Sequence, residues 1–233
     1  MNIASALLQL QQQVISCERC PRLREWCAEI ARRKRAAYRD WTYWGRPIPS
    51  FGDPEARLLI VGLAPAAHGA NRTGRIFTGD RSGDFLYRVL YQTGFASQPE
   101  SRSADDGLRL YDAWITAAVR CAPPANKPLP EEFRNCRRYL VRELELLENV
   151  RVIVALGRLA FRACLDALRE RGLPIRPAVF EFAHGREHRL GPGEPVLICS
   201  YHPSQQNTQT GRLTQPMLRR VFHRARRYLE ASP

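Results

Sequence analysis

Residues 57–80 read RLLIVGLAPAAHGANRTGRIFTGD. The first six form a short apolar run that ends in glycine, which suits a strand buried on both faces of a parallel sheet. The loop that follows holds Gly62, Gly69, Gly74 and Gly79 together with Pro65 and several alanines. Such small residues let backbone approach a ligand closely, because few Cβ atoms stand in the way. A phosphate-binding loop is the obvious rival, but G-x-x-x-x-G-K-[ST] is absent and G-x-G-x-x-G does not match.

Apolar runs of strand length recur downstream at 112–119, 152–156 and 195–200. Helices fall between them at about 83–91 and at 158–171, and a third carries Phe133, Cys136, Leu140, Leu144 and Leu147 on one face. A C-terminal helix turns Met217, Leu218, Val221, Phe222, Ala225, Tyr228 and Leu229 inward. Upstream, 2–16 and 22–37 read as helices, with Pro21 where the second could begin, and 41–54 as a Trp/Tyr/Pro-rich connector. Residues 178–190 read as a strand or as a hairpin turning at Gly185. Strands alternating with helices predict an α/β fold, a single three-layer α/β/α sandwich with a mainly parallel central sheet. One domain over residues 1–233 is expected. Ligands bind beyond the carboxyl ends of such strands, and both the Gly62 loop and His202-Pro203-Ser204 follow strands there.

The chain carries 36 basic and 23 acidic residues, a net charge of +13, and nearly all of its cations are arginine. That excess favours a polyanionic partner, nucleic acid being the commonest, although an arginine-rich soluble protein would look the same. No apolar run approaches the ~18–20 residues that span a bilayer. The N-terminal segment lacks the basic start of an export signal, so no membrane association and a cytoplasmic, nucleoid-associated location are expected. Seven cysteines in such a protein argue for thiolate chemistry or buried packing rather than disulfides.

Cys17 and Cys20 form a C-x-x-C pair, and Cys121 and Cys136 could complete a four-thiolate site. Cys136 also fits a packed core thiol, as Cys164 and Cys199 do. The spacing leaves Zn²⁺ and [4Fe–4S] equally open. In the pocket loop, Phe77 is the one large ring and could stack on a flat heterocycle or anchor the loop. Asn126 could read a base edge by donating and accepting at once, or shape a turn. His202, at the mouth of the sheet before a proline-stiffened turn, is a functional candidate.

Three segments, GLAPAAHGANRTGRIFTGD, AAVRCAPPANKP and HPSQQNTQTGRLT, together with the four cysteines, resemble the uracil-DNA glycosylase superfamily in its type 5 iron–sulfur branch. The resemblance implies an α/β sandwich and hydrolytic removal of uracil from DNA. It also implies a structural [4Fe–4S] cluster on Cys17, Cys20, Cys121 and Cys136, tying the N-terminal helices (to about residue 40) to the sheet. Catalysis would fall to Asp80 and His202. The base would be held by Phe77, Asn126 and the segment Gly62, Leu63, Ala64, Ala66 and Ala67. Arg72, Arg75, Ser204, Gln205 and Gln206 would face DNA, and the protein would act as a monomer. Most relatives place a polar or acidic residue just after the first strand, where this chain has Leu63 and Ala64. Several have a base-reading Asn at the second strand end, here Ala117, and other branches have a leucine wedge after His-Pro-Ser, here Gln205, Gln206 and Asn207. The loss of acid–base polarity at Ala64 implies slower chemistry and a roomier pocket that tolerates deaminated purines.

Overall fold

A computed structural model describes residues 2–231. The chain opens with α1 (Ile3–Ile15), capped by Asn2 accepting from the Ala4 N–H at 3.0 Å, and α2 (Pro21–Arg33), which begins on Pro21. Lys34, at φ 51°, stops α2 short of the expected residue 37, and a 3₁₀ turn at Ala36–Tyr38 takes over. The connector then contributes an unforeseen edge strand, β1 (Phe51–Gly52), before β2 (Leu58–Gly62). The pocket loop holds a single helical turn, α3 (Ala70–Thr73), and leads into α4 (Arg81–Gln92). There follow β3 (Ala113–Ala117), α5 (Pro130–Leu146), β4 (Val152–Leu156) and α6 (Arg158–Glu170). Last come β5 (Glu187–Arg189), β6 (Val196–Ser200), the short α7 (Gln205–Gln209) and α8 (Gln215–Ala231).

The six strands order as β1-β3-β2-β4-β6-β5, with the inner four parallel and both edges antiparallel. Gly185 sits in a turn as expected, at φ 76°, closed by the Arg186 N–H donating to the Ala183 carbonyl at 3.0 Å, and the segment supplies one strand, β5, whose hairpin partner is β6. The Gly185 N–H donates to the Cys199 carbonyl of β6 at 2.7 Å, which fastens the turn to the sheet.

Strand periodicity sorts the core into two layers. Leu58, Ile60, Ile115, Val154 and Ile198 face α4 and α8, whereas Leu59, Val61, Trp114, Ile153 and Leu197 face α5 and α6. Burying each such side chain contributes about 1.5–3 kcal/mol. Helix α1 packs outside α5. The connection after β2 therefore leaves toward one face and those after β3 and β4 toward the other. Their divergence opens a crevice beyond the end of β2. Among the described residues, no helix is long and apolar enough to cross a membrane.

Candidate active site and thiol patch

That crevice is a cavity of about 660 Å³. Its walls include Leu63, Ala64, Ala66, Phe77 and Asp80 from the β2 loop, Asn126 from the β3 loop, and His202, Ser204, Gln205 and Gln206 after β6. Ten of the expected site residues thus meet in one place. Pro65, Ile76, Arg81, Ser82 and Ala125 complete the lining. Other grooves, along α6, have volumes of about 450 and 600 Å³ and contain no histidine.

Asp80 ends the loop as the N-cap of α4, with Oδ1 accepting from the Gly83 N–H at 2.9 Å. Its other oxygen rests on Gly69, where a Cβ would lie 2.1 Å from Oδ2. Burial raises the Asp80 pKa, opposed by the N–H groups of Gly83 and Ser82 and by the charge of Arg72. A helix N-terminus further favours an anion. Phe77 holds a left-handed backbone at φ 51°, and its ring covers Gly62, where a Cβ would come within 2.6 Å of Cε2. Gly62 is therefore the floor beneath the ring and lies outside the cavity lining.

The His202 ring stands 5.9 Å from the Phe77 ring, centroid to centroid, at a 31° tilt. Burial lowers its pKa to about 4, so the imidazole is neutral at physiological pH. Its backbone is pinned by Asn207, whose Nδ2 donates to the His202 carbonyl at 2.8 Å, and Ser204 caps α7. Across the cavity, Ala125 and Asn126 take consecutive left-handed conformations at φ 52° and 56°. Asparagine tolerates that region and alanine does not, and strain of this kind concentrates at ligand-binding loops.

Besides Gly62, three expectations are corrected. Arg72 is 4% exposed, donates to the His68 and Gly79 carbonyls, and lies between the rings of Tyr38 and Trp41. Arg75, 5% exposed, is paired with Asp106 at 2.7 Å and bonded to Ser101 and Thr78. Neither guanidinium is free to meet a phosphate. Ala67 packs on the thiol patch and takes no part in the cavity lining. Arg81, exposed on the cavity rim, is the cation the geometry offers in their place.

Cys17 follows α1, Cys20 caps the start of α2, Cys121 follows β3 and Cys136 lies in α5. Cys20, Cys121 and Cys136 share one apolar cluster with Leu23, Val119 and Ala122, against which Ala64 and Ala67 pack. Burial raises the pKa values of Cys20 and Cys136, and Cys17, beside the cluster, adds to the rise. The Arg22–Glu132 ion pair at 2.8 Å fastens α2 to α5 over this patch. Cys27 joins the same cluster, its thiol donating to the Ala122 carbonyl at 3.6 Å. Among the described residues, no three His, Cys, Asp or Glu side chains gather around the position of a single metal ion. Cys164 and Cys199 are buried in the core, as expected.

A family profile described as the uracil DNA glycosylase superfamily matches residues 49–226. The type-5 uracil-DNA glycosylase of Thermus thermophilus is 54% identical over 216 residues, 93% of this chain and 95% of that protein. In Pyrobaculum aerophilum the type-5 enzyme is 44% identical, covering 91% of this chain and 89% of its own length. The type-4 enzyme of the same organism is only 28% identical, over 94% and 90%. With a matching profile across most of the sandwich and near full-length similarity to type-5 members, the chain belongs to the uracil-DNA glycosylase superfamily.

Proposed function

We propose that this protein is a monofunctional DNA repair glycosylase that hydrolyses the N-glycosidic bond of uracil, and of other deaminated bases such as hypoxanthine and xanthine, leaving an abasic site. What supports this most is the single cavity shared by Asp80, Phe77, Asn126 and His202. Its volume suits an extruded base with part of its sugar. A base must leave the stack to enter such a pocket, at a cost of a few kcal/mol that is smallest for a mispair.

Breaking the glycosidic bond leaves positive charge on the sugar and negative charge on the base. Asp80 has the sign to stabilise the sugar cation or to position the attacking water. His202, neutral at working pH, donates an N–H to the departing base, an electrostatic role that needs no imidazolium. Phe77 and Asn126 stack on the base and read its edge. Leu63 and Ala64 supply apolar wall and no acid–base group, which favours a type-5 over a type-4 reaction. Arg81, Ser204, Gln205 and Gln206 face the DNA, single- or double-stranded, bound by one copy of the protein in the cytoplasm. The chain works as one domain.

Cys17, Cys20, Cys121 and Cys136 would hold a [4Fe–4S] cluster. An all-thiol donor set against apolar surface, drawn from three separate parts of the chain, fits it. The cluster supplies cross-linking of α1 and α2 to β3 and α5 and no step of the reaction. The test is incubation with duplexes carrying U·G, hypoxanthine or xanthine, followed by alkaline cleavage at abasic sites. Formation of alkali-labile sites by the wild type, about 100-fold slower in His202→Ala with binding retained, is the expected result. A protein that binds these duplexes and forms no abasic site on any of them would be a non-catalytic nucleic-acid-binding protein.

A further inference from the structure

Arg72 was expected at the DNA surface and is found inside the protein without a carboxylate partner among the described residues. Its Nε donates to the His68 carbonyl and its Nη2 to the Gly79 carbonyl, both at 2.8 Å. These are the residues immediately before Gly69 and Asp80. One guanidinium therefore staples the two backbone segments between which the Asp80 carboxylate sits, since Oδ2 rests on Gly69 itself. Its carbon lies over the Tyr38 ring at 3.9 Å and over the Trp41 ring at 4.1 Å, in the corner made by these two nearly perpendicular rings from the segment after α2. The same segment bonds α3 through backbone: Trp44 N–H donates to the Arg72 carbonyl and Gly45 N–H to that of Asn71. Buried Asn71 in turn donates to the Cys27 carbonyl in α2.

We infer that Arg72 is a positioning residue for Asp80, held by a Tyr38–Trp41 clamp that links the cysteine-bearing N-terminal segment to the reacting carboxylate. The inference rests on the assignment of Asp80 as the reacting carboxylate. Two consequences separate it from simple packing. First, the staple fixes the direction of the carboxylate, so its loss slows the reaction without weakening DNA binding. Second, Arg72 helps keep Asp80 ionised, against burial and the charge of Asp84. Arg81 on its own helix and His202 across the cavity line the same cavity as Asp80, while the His68 ring, one residue before Gly69, bonds the Tyr43 hydroxyl at 3.0 Å. His202 is neutral there and adds no positive charge.

The experiment is single-turnover excision from a U·G duplex, as a function of pH and with Kd measured separately, for Arg72→Gln, Asp80→Asn, their double variant and Trp41→Ala. Arg72→Gln should lose at least about tenfold in rate, keep Kd within about threefold and move the acid limb of the profile to higher pH. In the Asp80→Asn background it should cost nothing further, because the two act as one unit. Trp41 is 38% exposed, so Trp41→Ala spares the core and should give a smaller loss with the same shift of the acid limb. Losses that multiply in the double variant, a Kd that weakens with an unchanged saturated rate, or a Trp41→Ala acid limb that does not move would each overturn the inference. Full activity in Asp80→Asn would instead remove the catalytic assignment of Asp80. A normal Asp80→Asn defect with inert Arg72→Gln removes the Arg72 role alone.

Discussion

The two ends of the loop between β2 and α4 face the same cavity but are built from opposite materials. At the β2 end, Leu63, Ala64 and Ala66 present apolar surface, and Ala64 and Ala67 lean on the thiol patch behind them. At the α4 end, a ring, a carboxylate and a buried guanidinium are locked by left-handed backbone, a helix cap and close contact with glycine. The first end is wall and the second is machinery. Polarity that could have been carried at a strand terminus is carried at a helix N-terminus, where backbone N–H groups already favour an anion.

The largest break in this contrast should come from Gly69→Ala. It drives a methyl group to 2.1 Å from Asp80 Oδ2 and must displace the carboxylate. We expect a loss of about 100-fold in single-turnover excision, since misplacement of a reacting group by about 1 Å costs this much, with DNA affinity retained. A rate near wild type would mean that the Asp80 seat is not needed.

Next in size are the effects of pH. Burial makes Asp80 take up a proton above its ordinary 3.8, so activity falls as pH drops through that raised value. Burial also takes His202 from 6.5 to about 4, so it makes no break near 6.5. The acid limb should therefore vanish in Asp80→Asn and keep its position in the residual activity of His202→Ala. A limb near 6.5 that disappears in His202→Ala would reverse the two assignments. The smallest effect belongs to the β2 end: Ala64→Ser should change the excision rate by no more than about threefold, because nothing at that position takes part in proton transfer.

Much of this was legible in the residues themselves. RLLIVG announced a central parallel strand, and the glycines after it announced a close-packed pocket, because both depend on local composition. Phe77, Asn126 and His202 were separable from their neighbours as the polar or aromatic residues of loops that follow strands, whereas Asp80, at a helix N-terminus, stood out only through the family resemblance. The role of Arg72 was not legible. A guanidinium held by two carbonyls and two ring faces differs from a phosphate-binding one only in where the connector at Tyr38 and Trp41 folds back. Arg75 was hidden in the same way, since its partner Asp106 lies in a distant loop. The facing of Ala67 toward the cysteines and the place of Cys27 in the same cluster are also products of tertiary packing, which spacing along the chain does not encode. Residues 178–190 show the same limit: the turn at Gly185 follows from the residue itself, but only pairing with β6 decides that β5 begins at Glu187.

The central claim is that the reacting carboxylate has its seat at the helix end of this loop. The most direct test is single-turnover excision of uracil from a U·G duplex by Asp80→Asn, which keeps the shape and can still accept from the Gly83 N–H. The account predicts a rate lowered by about 100-fold or more at saturating protein, with Kd and thermal stability close to wild type. An unchanged rate in the folded, DNA-binding variant would contradict it.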